Sequence, residues 1–223
     1  RGLDAMNYAC YQDARFMIVG TPSGISLAPE GGAHQSIATP LIGISQPGLL
    51  SFEPAFADEL ALIMNYGFNY LQDEAGGSIY LRLTTRSIDQ PMREIDNELK
   101  NNIIKGGYWL KKPGPNPEVI IVYQGAVASE AIESTALLGE KFKNSGVLSI
   151  TSSDKLFHEW KNQNSTSHIE LLLECVPRDT RIITVIDGHP MTLSWIGSIY
   201  GHKTIPLGVS SFGQTGKVED LFK

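Results

Sequence analysis

Glu30 and His34 lie four residues apart in the least ordinary stretch of the chain, Gly20-Thr-Pro-Ser-Gly-Ile-Ser-Leu-Ala-Pro-Glu-Gly-Gly-Ala-His-Gln-Ser36. An imidazole titrates near neutrality and can give or take a proton in a transition state, worth about 10²- to 10⁴-fold in rate. The Gly- and Pro-rich run leaves the carboxyl end of a predicted buried strand, where open α/β sheets place their ligands. A functional loop is therefore the favoured reading, ahead of a helix predicted to start near Ala33. On spacing alone, a structural role for His34 accounts for the pattern equally well.

Arg82 and Arg86 follow another predicted strand at its carboxyl end. A guanidinium there can hold a carboxylate or phosphate in bidentate fashion, and an ion pair with Asp89 or Glu94 is the equal alternative. His189 falls at a predicted helix N-terminus and His202 just before a strand, positions suited to capping or packing; His158 and His168 read as surface residues. No G-x-G-x-x-G follows a strand and no G-x-x-x-x-G-K-[ST] is present, so neither a dinucleotide fingerprint nor a P-loop is supported. Gln124-Gly125-Ala126 has the strand-turn-helix topology of a phosphate site but lacks its glycines, and is read as a packed crossover with no ligand. Cys10 and Cys175 are far apart and belong to no C-x-x-C or His/Cys cluster, which argues against a disulfide framework or a zinc site.

These residues need elements to position them. Short apolar runs at 16–19, 79–83, 119–123, 147–150, 182–186 and 205–209 read as buried parallel strands. Helical patterns lie between them: about 54–71, with Pro54 suited to the first turn and an apolar stripe of Phe56, Leu60, Ile63, Met64, Gly67 and Leu71; about 126–141; and one from near Pro190. Ser167 and Glu170 form a predicted capping box. Alternation of this kind means α/β layering with right-handed crossovers. A polar stretch at 87–102 is read as a linker, after which Gly106-Gly107 opens a new strand. The first unit, 1–97, offers only two or three strands, few for an independent sheet, and so looks like the second half of a domain. The second unit is 98–223.

With 223 residues, 42% hydrophobic and 19% charged, the chain can bury a sizeable core. Its net charge of −6 argues against nucleic acid as a main partner, and the densest basic stretch, 100–112, is read as a solvated face. Neither a run of about 18 apolar residues nor a leader pattern is seen, so no membrane partner and a reducing, cytoplasmic setting are expected. Residue 1 is Arg, and a piece of a longer polypeptide is expected.

Segments along the whole chain now carry a resemblance. Pro29-Glu-Gly-Gly-Ala-His-Gln35, Leu49-Leu-Ser-Phe-Glu-Pro-Ala-Phe-Ala-Asp-Glu59 and Tyr80-Leu-Arg-Leu-Thr-Thr-Arg86 resemble, in order and spacing, the Glu-Asp-Gly-Pro-Thr-His-Gln loop, Pro-Ala-Asp helix start and Ser-Arg strand end of the transketolase pyrimidine-binding domain. Ile120-Ile-Val-Tyr-Gln-Gly-Ala-Val-Ala-Ser-Glu130, Leu148-Ser-Ile-Thr-Ser-Ser153 and Ser211-Phe-Gly-Gln-Thr-Gly216 resemble landmarks of the transketolase C-terminal domain. The likeness covers nearly the whole chain. Within that thiamine-diphosphate-dependent superfamily, Ala9-Cys-Tyr-Gln-Asp-Ala-Arg-Phe-Met17, Ala28-Pro-Glu-Gly-Gly-Ala-His-Gln-Ser-Ile-Ala-Thr-Pro40 and Asp187-Gly-His-Pro-Met-Thr-Leu-Ser-Trp195 are most similar to the homodimeric pyruvate dehydrogenases, decarboxylating component.

The resemblance implies a partial pyrimidine-binding domain followed by a C-terminal α/β domain with a mostly parallel sheet. It implies that His34 is the loop histidine touching substrate, Glu30 a polar substrate contact, and Arg86 the counterpart of a sugar-phosphate-binding arginine. The parent would use thiamine diphosphate and Mg²⁺ to decarboxylate a small 2-oxo acid oxidatively, passing the acyl unit to a lipoyl group on an acyltransferase partner, as a homodimer. Two departures matter. Pro22 stands where sugar-phosphate transketolases have a histidine, and proline offers neither N–H nor charge. The Gly-Asp-Gly metal and diphosphate motif is absent: Ile186-Asp187-Gly188 lacks its first Gly and no Asn follows Asn164. No metal-binding residue is therefore assigned, cofactor-binding residues are left unassigned, and neither cofactor nor metal is expected to bind this chain tightly by itself. The rival readings are a transketolase moving a two-carbon ketol unit between sugar phosphates, and a non-catalytic α/β binding module.

Overall fold

The computed structural model describes residues 2–21, 23–162, 164–217 and 220. Two sheets carry the architecture. The first is all parallel in the order β1-β3-β2, built from β1 (Met17–Gly20), β2 (Leu49–Phe52) and β3 (Ser78–Arg82). The second has the order β4-β6-β5-β7-β8, from β4 (Gly107–Lys111), β5 (Val119–Gln124), β6 (Gly146–Ile150), β7 (Arg181–Ile186) and β8 (Thr204–Leu207). Among the described strands, only β4 runs antiparallel to its neighbour. This is the α/β architecture with a mostly parallel sheet that the sequence predicts.

Strands β3, β5 and β6 are buried at every residue, which is why they are apolar runs rather than alternating ones. Along β5, Ile120 and Val122 face one core with Leu148, Ile150 and Leu156, while Ile121 and Tyr123 face another with Val147 and Phe56. Phe56 belongs to the first sheet's side of the molecule, so this second core is shared between the two layers.

Helix α1 (Gly2–Tyr11) buries Met6 and Cys10 against Leu49 and Tyr80. Helix α3 (Ala57–Tyr70) starts three residues later than Pro54 because Phe56 is an extended N-cap and Glu59 reaches back, accepting from the amides of Phe56 at 3.1 Å and Ala55 at 2.7 Å. The helix predicted near Ala33 does not form. Residues 25–30 make a short 3₁₀ helix that ends at Gly31, whose φ of +119° no ordinary side chain favours, and α2 (Thr39–Ser45) begins only at Thr39.

The polar stretch read as a linker becomes helical from residue 97. In α4 (Asn97–Lys105), Asp96 caps the start by accepting from Leu99 N at 2.7 Å, and Gly106 ends it in the left-handed region. Its charges face solvent, while Ile103 is fully buried with Phe52, Ile63, Ile79, Leu81 and Tyr108.

Helix α5 (Ala128–Lys141) follows β5 after one 3₁₀ turn at 125–127, and α6 (Ser153–Asn162) follows β6. Before α7 (His168–Leu173), Glu170 accepts from both the amide and the hydroxyl of Ser167, the expected capping arrangement, and these bonds hold its carboxyl below the usual range. The pattern near Pro190 yields only one turn, α8 (Met191–Ser194), continued as a 3₁₀ turn at 195–198. No helix among the described residues is long and apolar enough to cross a membrane.

Candidate functional site

The carboxyl ends of both sheets' parallel strands abut. Glu53, just beyond β2, donates its amide N–H to Thr151 O beyond β6 at 2.8 Å. Its carboxylate pairs with the Arg82 guanidinium through Oε1 and accepts from Gln124 Nε2 through Oε2 at 2.9 Å. Arg82, 2% exposed at the end of β3, also donates to Asp187 O at 2.7 Å and to Thr39 Oγ1 at 3.0 Å. Its donors are thus turned inward, away from any anionic ligand. Burial pushes the Glu53 carboxyl up, and Arg82 opposes that push. Gly125, at φ +67°, lets the β5–α5 crossover approach: a Cβ there would lie 2.4 Å from Glu53 Oε1. The Gln124-Gly125-Ala126 turn is therefore a packed crossover.

Over this junction lies the loop carrying Glu30 and His34. Asp187, directly after β7, accepts from the amides of Gly24 at 3.0 Å, Ile25 at 2.6 Å and Ser26 at 3.2 Å, and from the Ser26 hydroxyl. Glycine is required at position 24, because a Cβ would come within 2.5 Å of Asp187 Oδ1. The far side of the loop is tied to the C-terminal segment by Gln35 Nε2, which donates to Gln214 O at 3.2 Å, and by His189 N, which donates to Ile37 O at 2.9 Å. Leu27 and Ala28 are buried beneath, whereas Glu30 and His34 are exposed. The structure thus keeps these two residues together on one anchored loop. Pro22, in the same loop, lies outside the described residues.

Arg86 is placed differently. It is half-buried against α5, donating to Glu130 Oε1 and to Ala126 O at 3.3 Å, so that Glu130 takes the acidic-partner place that the sequence had left open for Asp89 or Glu94. Asp187 and Glu53 are the residues that sequence reasoning missed. Asp187 stood in an incomplete metal motif; the legible signal was simply a carboxylate at the carboxyl end of a buried strand.

The histidines divide. His168 is no surface residue: α7 folds over the edge of β4, leaving it 6% exposed with Nε2 bonded to Gly107 O at 2.8 Å, and burial pushes its pKa down. His202 packs with Nε2 on Pro177 O at 3.1 Å. His189 Nδ1 accepts from Met191 N at 3.3 Å, the capping role expected. His158 is exposed and lies 3.3 Å from Asp154.

Asp154 is itself a junction residue, accepting from Ser51 N at 2.8 Å while the neighbouring Ser152 hydroxyl donates to Ser51 O at 2.6 Å. Burial pushes its carboxyl from the ordinary 3.8 up to about 6. A raised folded value favours the protonated acid in the fold, so the penalty is absent below 3.8 and fully present above about 6. The gap is worth about 3 kcal/mol. Urea unfolding of Asp154→Asn beside wild type, between about pH 4 and about pH 7, is expected to show the variant's relative stability rising by roughly that amount; a pH-independent difference would contradict the assignment.

A second buried carboxylate, Glu59, accepts from Tyr108 OH at 2.6 Å, and Arg93 donates to both Tyr108 OH at 2.7 Å and the Asp58 carboxylate. This cluster ties α3 to β4. Among the described residues no group of three His, Cys, Asp or Glu could hold a metal ion. The Asp187 carboxylate, occupied by three amides and a hydroxyl, does not fit a metal ligand.

Comparison with known proteins follows the same lines. The sequence pattern of the transketolase-like TK C-terminal domain matches residues 106–223. The pyruvate dehydrogenase E1 component of Buchnera aphidicola subsp. Baizongia pistaciae is 31% identical over 148 residues, covering 65% of this chain and 17% of that protein. Transketolase 1 of Candida albicans is 26% identical over 206 residues, covering 92% of this chain and 27% of that protein. Among solved structures, a transketolase mutant from Pichia stipitis superposes with a TM-score of 0.75 at 23% identity, covering 99% of this chain and 29% of that one. A split-gene transketolase described as an inactive beta4 tetramer gives 0.67 at 20% identity, covering 100% of this chain and 66% of that one. The chain thus spans less than a third of the curated relatives cited. Its second sheet and the elements around it fall within the matched segment, and the chain belongs to the transketolase-like C-terminal domain family.

Proposed function

We propose that this chain is the C-terminal portion of a thiamine-diphosphate-dependent 2-oxo acid dehydrogenase, decarboxylating component, whose parent acts on pyruvate and passes the acyl unit to a lipoyl group on an acyltransferase partner. In such enzymes the cofactor carries the bond-breaking chemistry and the protein supplies orientation and protons. We assign the metal and diphosphate to another part of the parent or to a partner subunit of a homodimer, since among the described residues no group fits a metal. What this chain offers is the loop: His34 to hold or relay a proton at the carbonyl-derived oxygen, and Glu30 to hydrogen-bond substrate. One observation carries the reading, namely that the loop is pinned at the carboxyl edges of both sheets while those two side chains stay exposed.

A transketolase is the second reading, favoured by the transketolases among the relatives. Pro22 counts against it, since it cannot supply the phosphate contact of a histidine. Arg86, engaged by Glu130, then serves to pack α5. The test is an assay of the full-length parent, with thiamine diphosphate and Mg²⁺, for pyruvate-dependent reduction of an artificial acceptor beside ketol transfer from a ketose phosphate. Turnover of pyruvate alone supports the dehydrogenase; turnover of the ketose phosphate alone makes the parent a transketolase.

A further inference from the structure

We propose that Asp187 is a positioning residue through which the second sheet holds the substrate loop in its working shape, so that the C-terminal unit takes part in catalysis at a distance. The inference rests on the reading that this loop faces substrate, and it assigns the C-terminal unit a task beyond carrying the family fold.

Its physical basis is a ring of bonds spanning more than 160 positions of sequence. The Asp187 carboxylate receives three successive amides and a hydroxyl from residues 24–26. Charge-assisted bonds of this kind are shorter and roughly twice as strong as neutral ones, so together they outweigh the tendency of a glycine-rich segment to sample other conformations. Asp187 is itself held, 2% exposed, because its carbonyl accepts from Arg82, which is locked by Glu53 and Thr39. Position 24 is glycine where any side chain would collide with that carboxylate. The loop is thus seated on the carboxyl end of β7, a few residues ahead of Glu30 and His34. A misplacement of about 1 Å in a group that must meet a substrate atom can cost about 10²-fold in rate.

The experiment uses the full-length parent. In Asp187→Ala, hydrogen exchange is expected to show the amides of Ile25 and Ser26 losing protection while those of β5 and β7 keep theirs. The value of kcat is expected to fall about 10- to 100-fold with KM changed much less. Asp187→Asn, which keeps one accepting oxygen, should recover part of both, and Ser26→Ala, which removes only the hydroxyl bond, should lose a few-fold. Glu170→Ala, at the distant α7 cap, is the control for lost stability alone: it should lower the melting temperature without moving kcat. Retained protection at Ile25 and Ser26, or a kcat loss in Asp187→Ala no larger than in Glu170→Ala, would overturn the proposal. If Asp187→Ala does not fold, the Asn and Ser26 variants decide by the same two readings. Should the wild-type parent turn over neither pyruvate nor ketose phosphate, the functional reading fails, and the exchange data still decide whether Asp187 clamps the loop.

Discussion

Replacing His34 with alanine in the full-length parent is expected to lower kcat by about 10²- to 10⁴-fold, the usual worth of a positioned proton-transfer group. Stability should barely change. The side chain is exposed, and the bond that residue 34 makes, from its amide to Gly31 O at 3.0 Å, survives the substitution. Surface changes of this kind stay within about 0.5 kcal/mol. His34→Gln refines the result: a glutamine can hydrogen-bond but cannot change charge near neutral pH, so a variant as impaired as the alanine one points to proton transfer, and a largely active one to hydrogen bonding. Full activity in His34→Ala would remove His34 from the mechanism.

Arg82→Met is expected to destabilise the fold by about 3–5 kcal/mol at neutral pH, the cost of stranding a buried charge. Glu53 would keep the Gln124 bond but lose its counter-ion in a setting where burial already disfavours ionisation. The pH dependence has a definite sign. Because the folded carboxyl lies above its ordinary 4.5, the folded state binds its proton more tightly than the unfolded chain does. Stability is therefore fully present below that ordinary value and is lost as pH rises through the folded one. Arg82→Met, which removes the main influence holding the carboxyl down, should show its deficit shrinking as pH falls. Adding Glu53→Gln to Arg82→Met should return much of the loss, since a neutral buried pair carries no unpaired charge. Denaturant unfolding at several pH values measures all three; a deficit below about 1 kcal/mol in Arg82→Met would show that solvent reaches Glu53 and that the junction is not dry.

The junction's strength also bears on the loop. Arg82 contacts both Glu53 and the Asp187 carbonyl, so the two sheets and the loop anchor form one connected set of bonds. Loss of Arg82 is expected to affect activity through the same seat that Asp187 provides, whereas Asp154, on the junction's other flank, contacts β2 through Ser51.

Local chemistry made much of this legible. Strands buried on both faces must be largely apolar, so β5 and β6 announced themselves as short runs, and β4 followed from the Gly106-Gly107 pair that opens it. The Ser167 and Glu170 cap spans three residues and needs nothing distant. The loop at 20–36 stood out because its glycines and prolines fit no helix or strand, and the order of motifs along the chain carried the family. The sequence by itself thus determined the layering, most of the strands and the family, and it singled out the loop at 20–36; β2 (Leu49–Phe52) was not among the strands read from it.

Tertiary structure decided what those elements touch. His168 looked solvent-facing until α7 closed over the edge of β4, and the helix expected from Ala33 yielded to the backbone that Gly31 imposes. Arg82 was indistinguishable from a ligand-binding arginine, because its partners Thr39, Glu53 and Asp187 lie 29 to 105 residues away. Asp187 and residues 24–26 are more than 160 positions apart, and hydrogen bonds leave no periodic trace across such a distance. Periodicity, caps and turns are short-range constraints that a linear chain displays; the pairing of buried charges is set by which strand ends fold together, and that is where this loop acquires its shape.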